Sequence, residues 1–339
     1  MKVLIIKTSS MGDLIHAFPA LTDATHAIPD IQFDWLVEDS FAAIPKWHPS
    51  VVRVLPVAWR RWRKGLSSRE TWRALWDMRS ILREQSYDLV LDAQGLIKSA
   101  LMTRMVKAER VGLDWSSARE SLASIFYQRH CTVKFEQHAI ERNRQLFSQA
   151  LGYALPKTAP EFGLDTNRFM PAPQQQPYVV FLFETTWSSK QWPDAYWSQL
   201  AAKMQAAGYQ VKICAYQAAA IQRAEMIANQ REGVTVLKGL DIAGMAQWLA
   251  HANGVIAVDT GFAHLAAALD VKTISIYGST NPAFTGALGK HSQHLATQFP
   301  CSPCLSRECH FSGVSIEKPA CYESVSPERV WTTFINHLR

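Results

Sequence analysis

Gly254–Leu269 reads GVIAVDTGFAHLAAAL. Gly254–Val258 is an uncharged apolar run of strand length, and Ala263–Leu269 is a small-residue helix. The short polar turn Asp259-Thr260-Gly261 joins them. A buried strand, a tight turn and a helix make the repeating unit of a parallel α/β sheet. Free N–H groups at the helix start, with Gly261 allowing close approach, form a seat for an anion such as phosphate. DTG also occurs in aspartic proteases, but there as two copies in β-rich lobes; a single copy between strand and helix does not fit that chemistry.

The same alternation extends in both directions. Tyr178–Phe183, Gln210–Cys214, Val234–Leu237 and Thr273–Tyr277 read as further strands, with helices at Ala195–Ala207, Ala218–Asn229 and Ile242–His251. In the first half, Val3–Ile6, Phe33–Val37, Val51–Val57 and Asp88–Leu91 read as strands buried on both faces. Helices are expected near Asp13–Ala27, Glu70–Glu84 and Ile97–Val106, the first kinked or stopped at Pro19. Between the halves, Pro156–Pro177 holds five prolines and reads in part as a linker. The fold class is therefore α/β, two Rossmann-like doubly wound domains facing a central cleft: residues 1–160, a linker at 161–177, and residues 178–325. A last helix over 326–339, opened by Ser326 and Pro327, is free to return to the N-terminal domain.

Composition narrows the function classes. The 339 residues suit two domains, and 48% apolar with 19% charged residues is a globular balance. No apolar run reaches the ~18 residues of a membrane span, and the N-terminus lacks a signal-peptide pattern. The six cysteines of a chain without such a signal read as cytosolic thiols. The net charge of +6 concentrates in the first half, most sharply in Ala58–Arg73, AWRRWRKGLSSRETWR. That surface suits an anionic partner.

Post-strand loops carry the candidate chemistry. Lys7–Asp13 (KTSSMGD) places the Asp13 carboxylate at a helix start, as a base toward an acceptor hydroxyl or as a plain cap. Glu184–Trp192 offers Thr185, Thr186 and Lys190 to a diphosphate, Lys190 balancing charge on a leaving group, or else as a solvated loop cation. His264 serves a ligand phosphate or its own neighbours. The absence of G-x-G-x-x-G after either first strand, and of G-x-x-x-x-G-K-[ST], removes support from dinucleotide oxidoreductases and P-loop enzymes. Cys301, Cys304, Cys309 and Cys321 are a candidate structural zinc set with one C-x2-C pair, against reduced thiols. In Arg60-Arg61-Trp62-Arg63-Lys64, guanidinium forks match phosphate or carboxylate, and Lys98, Arg119, His138, Arg142 and Arg144 are candidates to join them. Trp59 and Trp62 either touch a membrane or pack in a core.

The segments KTSSMGDLIHAFPALTDA, RRWRK, DAQGLIKSA, GLDWSSARESLAS, TT…K-x-WP and VDTGFAHLAAAL together resemble bacterial lipopolysaccharide heptosyltransferases, glycosyltransferase family 9. The N-terminal features are most similar to heptosyltransferase I. The resemblance implies a GT-B enzyme, inverting the anomeric carbon, with Asp13 as general base. The donor ADP-L-glycero-beta-D-manno-heptose would lie in the C-terminal domain, its diphosphate on Thr185, Thr186, Lys190, Thr260, Gly261 and His264, with Asp259 nearby. Leu240 stands where the family can place a Met beside the adenine. The acceptor, Kdo-lipid A, would lie in the N-terminal domain at Ser10, Gly12, Arg60, Arg61, Arg63, Lys64, Lys98, Arg119 and His138. No cofactor, metal or nucleic acid is implied. The expected protein is a monomer, cytoplasmic and peripheral to the inner membrane. There are two departures. Gln217-Ala218-Ala219-Ala220 has no carboxylate where heptosyltransferase I can carry one, and the cysteine cluster is more similar to heptosyltransferase II relatives. Three other readings compete: a heptosyltransferase II-like acceptor, a nucleotide-sugar epimerase of the same fold, and a non-enzymatic basic lipid- or nucleic-acid-binding protein.

Overall fold

The computed structural model describes residues 1–65, 67–171 and 176–338. The chain forms two compact units, Met1–Leu164 and Asp165–Arg339. The first unit contains β1 (Lys2–Ile6), β2 (Gln32–Glu38), β3 (Val51–Val57), β4 (Leu89–Asp92), β5 (Glu109–Leu113) and β6 (Arg129–Cys131) in the order β3-β2-β1-β4-β5-β6. The second contains β7 (Tyr178–Leu182), β8 (Gln210–Ala215), β9 (Val234–Lys238), β10 (Gly254–Val258), β11 (Thr273–Tyr277) and β12 (Ser292–Ala296) in the order β12-β11-β10-β7-β8-β9. All pairings are parallel. Each sheet runs outward one way from its first strand, then restarts on the other side, so the order reverses between β1 and β4 and between β7 and β10. Ligands of such sheets bind at those reversals, beyond the strands' carboxyl ends.

The central strands β7, β10 and β11 are buried along their whole length. Continuous Val, Ile and Leu remove both faces from water, which is why these strands read clearly in the sequence. In the first unit Leu4, Ile6, Leu36 and Val90 share a core with Met78 and Leu82 of the helix Arg69–Arg83. In the second, Phe181, Ile256 and Ile274 pack with Trp192, Trp197 and Phe334.

Four features bear on the expectations. The first helical stretch breaks before Pro19, not at it: Met11–Ile15 ends, and Phe18–Ala27 begins with Pro19 in its first turn, where no N–H bond is lost. Of the two readings open for them, Trp59 and Trp62 take the core: Trp62 is buried in the first core and Trp59 packs beside it. The stretch before the second unit begins that unit early, since buried Phe169 accepts a hydrogen bond from the His251 ring through its carbonyl (2.6 Å). Residues 172–175 of the expected linker lie outside the described residues. The closing helix Pro327–Leu338 belongs to the second unit. Its Phe334 is seated on Gly254, where any side chain would collide with the ring, and Ser326 accepts from Arg329 N–H (3.3 Å) as its cap.

Candidate active site

The second unit gathers its polar groups at the reversal between β7 and β10. The loop after β7 carries Lys190, whose Nζ donates to Asp259 Oδ2 at 2.7 Å. Asp259 directly follows β10, and the same Oδ2 accepts from Thr280 Oγ at 2.7 Å, on the loop after β11. Thr185 Oγ donates to the Asp259 carbonyl (3.2 Å), and His264 Nε2 lies 4.0 Å from Asp259 Oδ1. Asp259 and His264 are buried, and Lys190 is largely covered, its ammonium 4.4 Å from the Trp187 ring centre. Three adjacent strand ends thus hold one ammonium in place. Thr260 caps the helix Gly261–Ala268 through extended backbone, with no side-chain hydrogen bond; its carbonyl accepts from Ala263 N–H (3.0 Å), and the N–H groups of Gly261 and Phe262 are not taken up by the cap side chain. An ammonium and a helix N-terminus at one reversal favour a polyanion.

Sequence reasoning missed several parts of this site. Ser189 is buried, and its Oγ donates to the Ser306 carbonyl (2.6 Å); its N–H donates to the Arg307 carbonyl (3.1 Å). The segment after β12 therefore braces the Lys190 loop, and the Arg307 guanidinium lies 5.8 Å from the Trp187 ring centre. Tyr216, after β8, stacks on Phe262 with ring planes 2° apart and centroids 5.6 Å apart. Its N–H donates to Glu184 (3.2 Å). Burial pushes the Tyr216 phenol up, helped by the charges of Cys214, Glu184 and Asp241. Leu240 precedes Asp241 at the end of edge strand β9, half-buried. Thr186 is exposed. None of these pairings has a sequence signature, because each joins loops of separate strands.

The first unit does the same at its own reversal. Ser10 donates to Asp13 Oδ2 through both its N–H and its Oγ, each at 2.9 Å. Gly12 is buried in the same short helix. Lys7 lies beneath this loop, fully enclosed, its Nζ donating to the Ala93 carbonyl (2.6 Å) and to Asn143 Oδ1 (3.4 Å). Burial lowers the Lys7 ammonium from its ordinary value, while the carboxylates of Asp13 and Asp92 pull it back up. The Gln94 side-chain oxygen accepts from the N–H groups of Thr8 and Ser9, tying the β1 loop to the β4 loop. Gly95 turns that second loop at φ +68°, where a side chain would be strained. Asp92 is buried, which raises its carboxyl, and hydrogen bonds from Tyr127, Ser99 and the backbone of Gln94 and Gly95 oppose the rise.

The basic cluster divides. Arg60, Arg61, Arg63 and Lys64 are all exposed. Lys98 is lowered first by burial, and among its charged neighbours are Glu38, Arg60, Arg63 and Glu120. Arg60 and Arg63 are three residues apart on one short helical turn and its cap, and the charges of both are felt at Lys98, with Arg60 N–H on Glu38 (3.0 Å). Arg119 is exposed, and its charge is felt at Lys7, as is that of Arg142. His138 caps the helix Ala139–Leu151, its Nδ1 accepting from Ile140 N–H (3.2 Å), and its ring meets that of His16 edge-on at 5.4 Å. Arg144 does not join the cluster: it is buried and paired with Asp23 at 2.6 Å, locking two helices together. The cysteines are free thiols, with Cys301, Cys304 and Cys309 exposed and Cys321 buried. Among the described residues, no group of three His, Cys, Asp or Glu side chains is placed to hold a metal.

Two parallel six-stranded sheets, each with polar loops at its reversal, define a GT-B-like α/β transferase. The pattern of glycosyltransferase family 9 (heptosyltransferase) matches residues 75–315. Lipopolysaccharide heptosyltransferase 1 of Pseudomonas aeruginosa is 50% identical, covering 98% of this chain and 96% of its own length. The protein of that name from Escherichia coli K12 is 44% identical, covering 86% and 92%. The solved E. coli heptosyltransferase WaaC with ADP superposes with a TM-score of 0.89 at 38% identity, over 100% of both chains. The chain belongs to glycosyltransferase family 9 and is an enzyme that transfers heptose. The reading of a non-enzymatic basic binding protein is thereby overturned.

Proposed function

We propose that this enzyme moves L-glycero-D-manno-heptose from ADP-heptose to a Kdo hydroxyl of Kdo-lipid A during assembly of the lipopolysaccharide inner core. The observation that carries this reading is the Lys190–Asp259 pair beside the helix Gly261–Ala268. A diphosphate is held by cationic groups and free amides, and the Lys190 ammonium and the N-terminus of that helix at one reversal support the reading. The relatives named lipopolysaccharide heptosyltransferase 1, and the related structure holding ADP, support the same assignment.

In the proposed reaction the Kdo hydroxyl oxygen attacks the anomeric carbon while its proton passes to Asp13. The new C–O bond forms as the bond from that carbon to the β-phosphate oxygen breaks, and ADP leaves with the bonding pair. A single displacement inverts the centre, as water does in inverting glycosidases. Lys190 and the amides at Gly261 stabilise the charge gathering on ADP. The hydrogen bonds that Ser10 gives to Asp13 Oδ2 leave Oδ1 to take the proton. Thr185, Thr186, Thr260 and His264 line the diphosphate, and Leu240 with the Tyr216–Phe262 pair flanks the nucleoside. Arg60, Arg63, Lys98 and Arg119 hold the acceptor's acidic groups, assisted by Arg61, Lys64 and His138. The enzyme works at the cytoplasmic face of the inner membrane; among the described residues no helix is long and apolar enough to cross it.

Mass spectrometry of products from ADP-heptose and Kdo-lipid A tests the assignment. The expected product is the acceptor plus one heptose, with ADP released; release of ADP without heptosylated acceptor would overturn it. Within this scheme, Arg60→Ala combined with Arg63→Ala raises acceptor KM about tenfold and leaves ADP affinity unchanged. Steady-state kinetics against each substrate checks it, and an unchanged acceptor KM would remove both residues from the acceptor site.

A further inference from the structure

The helix Arg69–Arg83 (RETWRALWDMRSILR) packs on the first sheet through one side only. Thr71, Met78 and Leu82 are buried, with Ala74 and Leu75 packed against the core. Trp72 and Trp76 lie one turn apart on the opposite side, 54% and 63% exposed. Around them stand Arg69 and Arg73, both exposed, and Arg79, whose guanidinium lies 5.4 Å from the Trp76 ring centre. The helix's acids fall elsewhere. Glu70 and Asp77, seven residues apart, run along one flank, away from the tryptophan line. Single exposed apolar residues are ordinary, but two indoles one turn apart on a helix, with Arg69, Arg73 and Arg79 beside them, are not a solvation pattern; Arg83, at the far end, donates through Nε to the Met105 carbonyl (3.4 Å).

We propose that this face docks on an anionic lipid surface, the indoles entering the headgroup region and the arginines meeting lipid phosphates. Amphipathic indoles favour that boundary, and cations near an anionic leaflet add to binding. Charge complementarity selects the occupant: an acidic membrane matches both halves of the pattern, while a purely apolar partner would leave the charges of Arg69, Arg73 and Arg79 unmatched. The position of the helix agrees. It follows Arg60–Lys64 after a short connection, so Trp72 in its first turns lies at the end of the sheet that bears Lys98 and the Asp13 loop. A lipid-anchored acceptor would then present its acidic sugars where those cations stand. Membrane contact, one of the two readings given for Trp59 and Trp62, falls in this proposal to Trp72 and Trp76. This inference rests on the lipid-linked acceptor proposed above, and its test is separable from it.

The test is flotation with vesicles of phosphatidylcholine, with and without about one-third phosphatidylglycerol, neither containing any acceptor. The full chain is expected to float with the anionic vesicles and not with the neutral ones. The W72A/W76A variant and, separately, the R69Q/R73Q variant should each lose about tenfold in vesicle affinity. Both should transfer heptose to a delipidated, water-soluble acceptor at the unmodified rate, which also shows them to be folded. Equal flotation of W72A/W76A and the unmodified chain would overturn the proposal. So would equal binding to neutral vesicles, or a tryptophan variant that changes the oligomeric state with vesicle binding intact, since the face would then be a protein contact. Failure of heptose transfer by the unmodified chain, with vesicle binding as expected, would sink the assigned reaction and leave the docking face standing.

Discussion

Asp13→Ala lowers heptose transfer by a factor of about 100 or more while ADP-heptose binds as before. The two halves of this expectation have separate structural causes. Asp13 belongs to the first unit, in a five-residue helix on the loop side of β1, whereas the groups proposed to hold the diphosphate belong wholly to the second unit. Removing the carboxylate therefore leaves Lys190, Asp259 and the helix Gly261–Ala268 untouched. What disappears is the proton acceptor. The loop itself has other holds: Lys7 is tied to Ala93 and Asn143, and Gln94 accepts from Thr8 and Ser9. Asp13→Asn makes the sharper variant, because it keeps the shape and an acceptor oxygen for Ser10 but cannot take a proton. It should be nearly as slow as Ala. Single-turnover rates, with donor affinity measured by calorimetry, provide the check. Turnover of the Asn variant within a few-fold of the unmodified enzyme would reduce Asp13 to a cap for its short helix.

The sequence carried the parts of this design that one strand and its own loop contain. Val3–Ile6 and Gly254–Val258 are apolar without interruption, since both faces of a central parallel strand are buried, and the loops after them name Asp13 and Asp259 directly. One end of each sheet was not legible. Glu109–Leu113, Arg129–Cys131 and Ser292–Ala296 are short, partly exposed and mixed in character, so they look like loops. The helix Ala139–Leu151 was also missed: buried Asn143, Arg144 and Ser148 break its apolar stripe. Partners across strands were invisible for a different reason. Nothing near Asp259 in the chain announces Thr280 or Lys190; only the placing of β11 and β7 on either side of β10 brings them to one oxygen. The tryptophans show the same limit. Trp62 and Trp72 both sit in basic helical sequence, yet one is buried under the sheet's covering layer and the other faces out, a difference set by which side of each helix meets the core.

Lys190→Ala is expected to cut kcat/KM by about 100- to 1,000-fold and, unlike any change at Asp13, to weaken ADP binding as well. In the proposed role the ammonium acts on both ground and transition states, since the diphosphate is charged before transfer and more so as ADP departs. Asp259 is a positioning residue in this account: it holds Lys190 by a 2.7 Å ion pair and is itself fixed by Thr280. Asp259→Asn keeps a side-chain oxygen for those donors but removes the charge that restrains the ammonium. Its expected loss is smaller, about tenfold. The two effects should not add. Groups that act through one another couple, so in the double variant Asp259→Asn should cost little once Lys190 is gone. A double-mutant cycle on kcat/KM, run beside ADP affinities, measures that coupling. Fully additive losses would show that the Asp259 carboxylate acts on the substrate by itself, and the picture of an ammonium aimed by its counter-ion would fail.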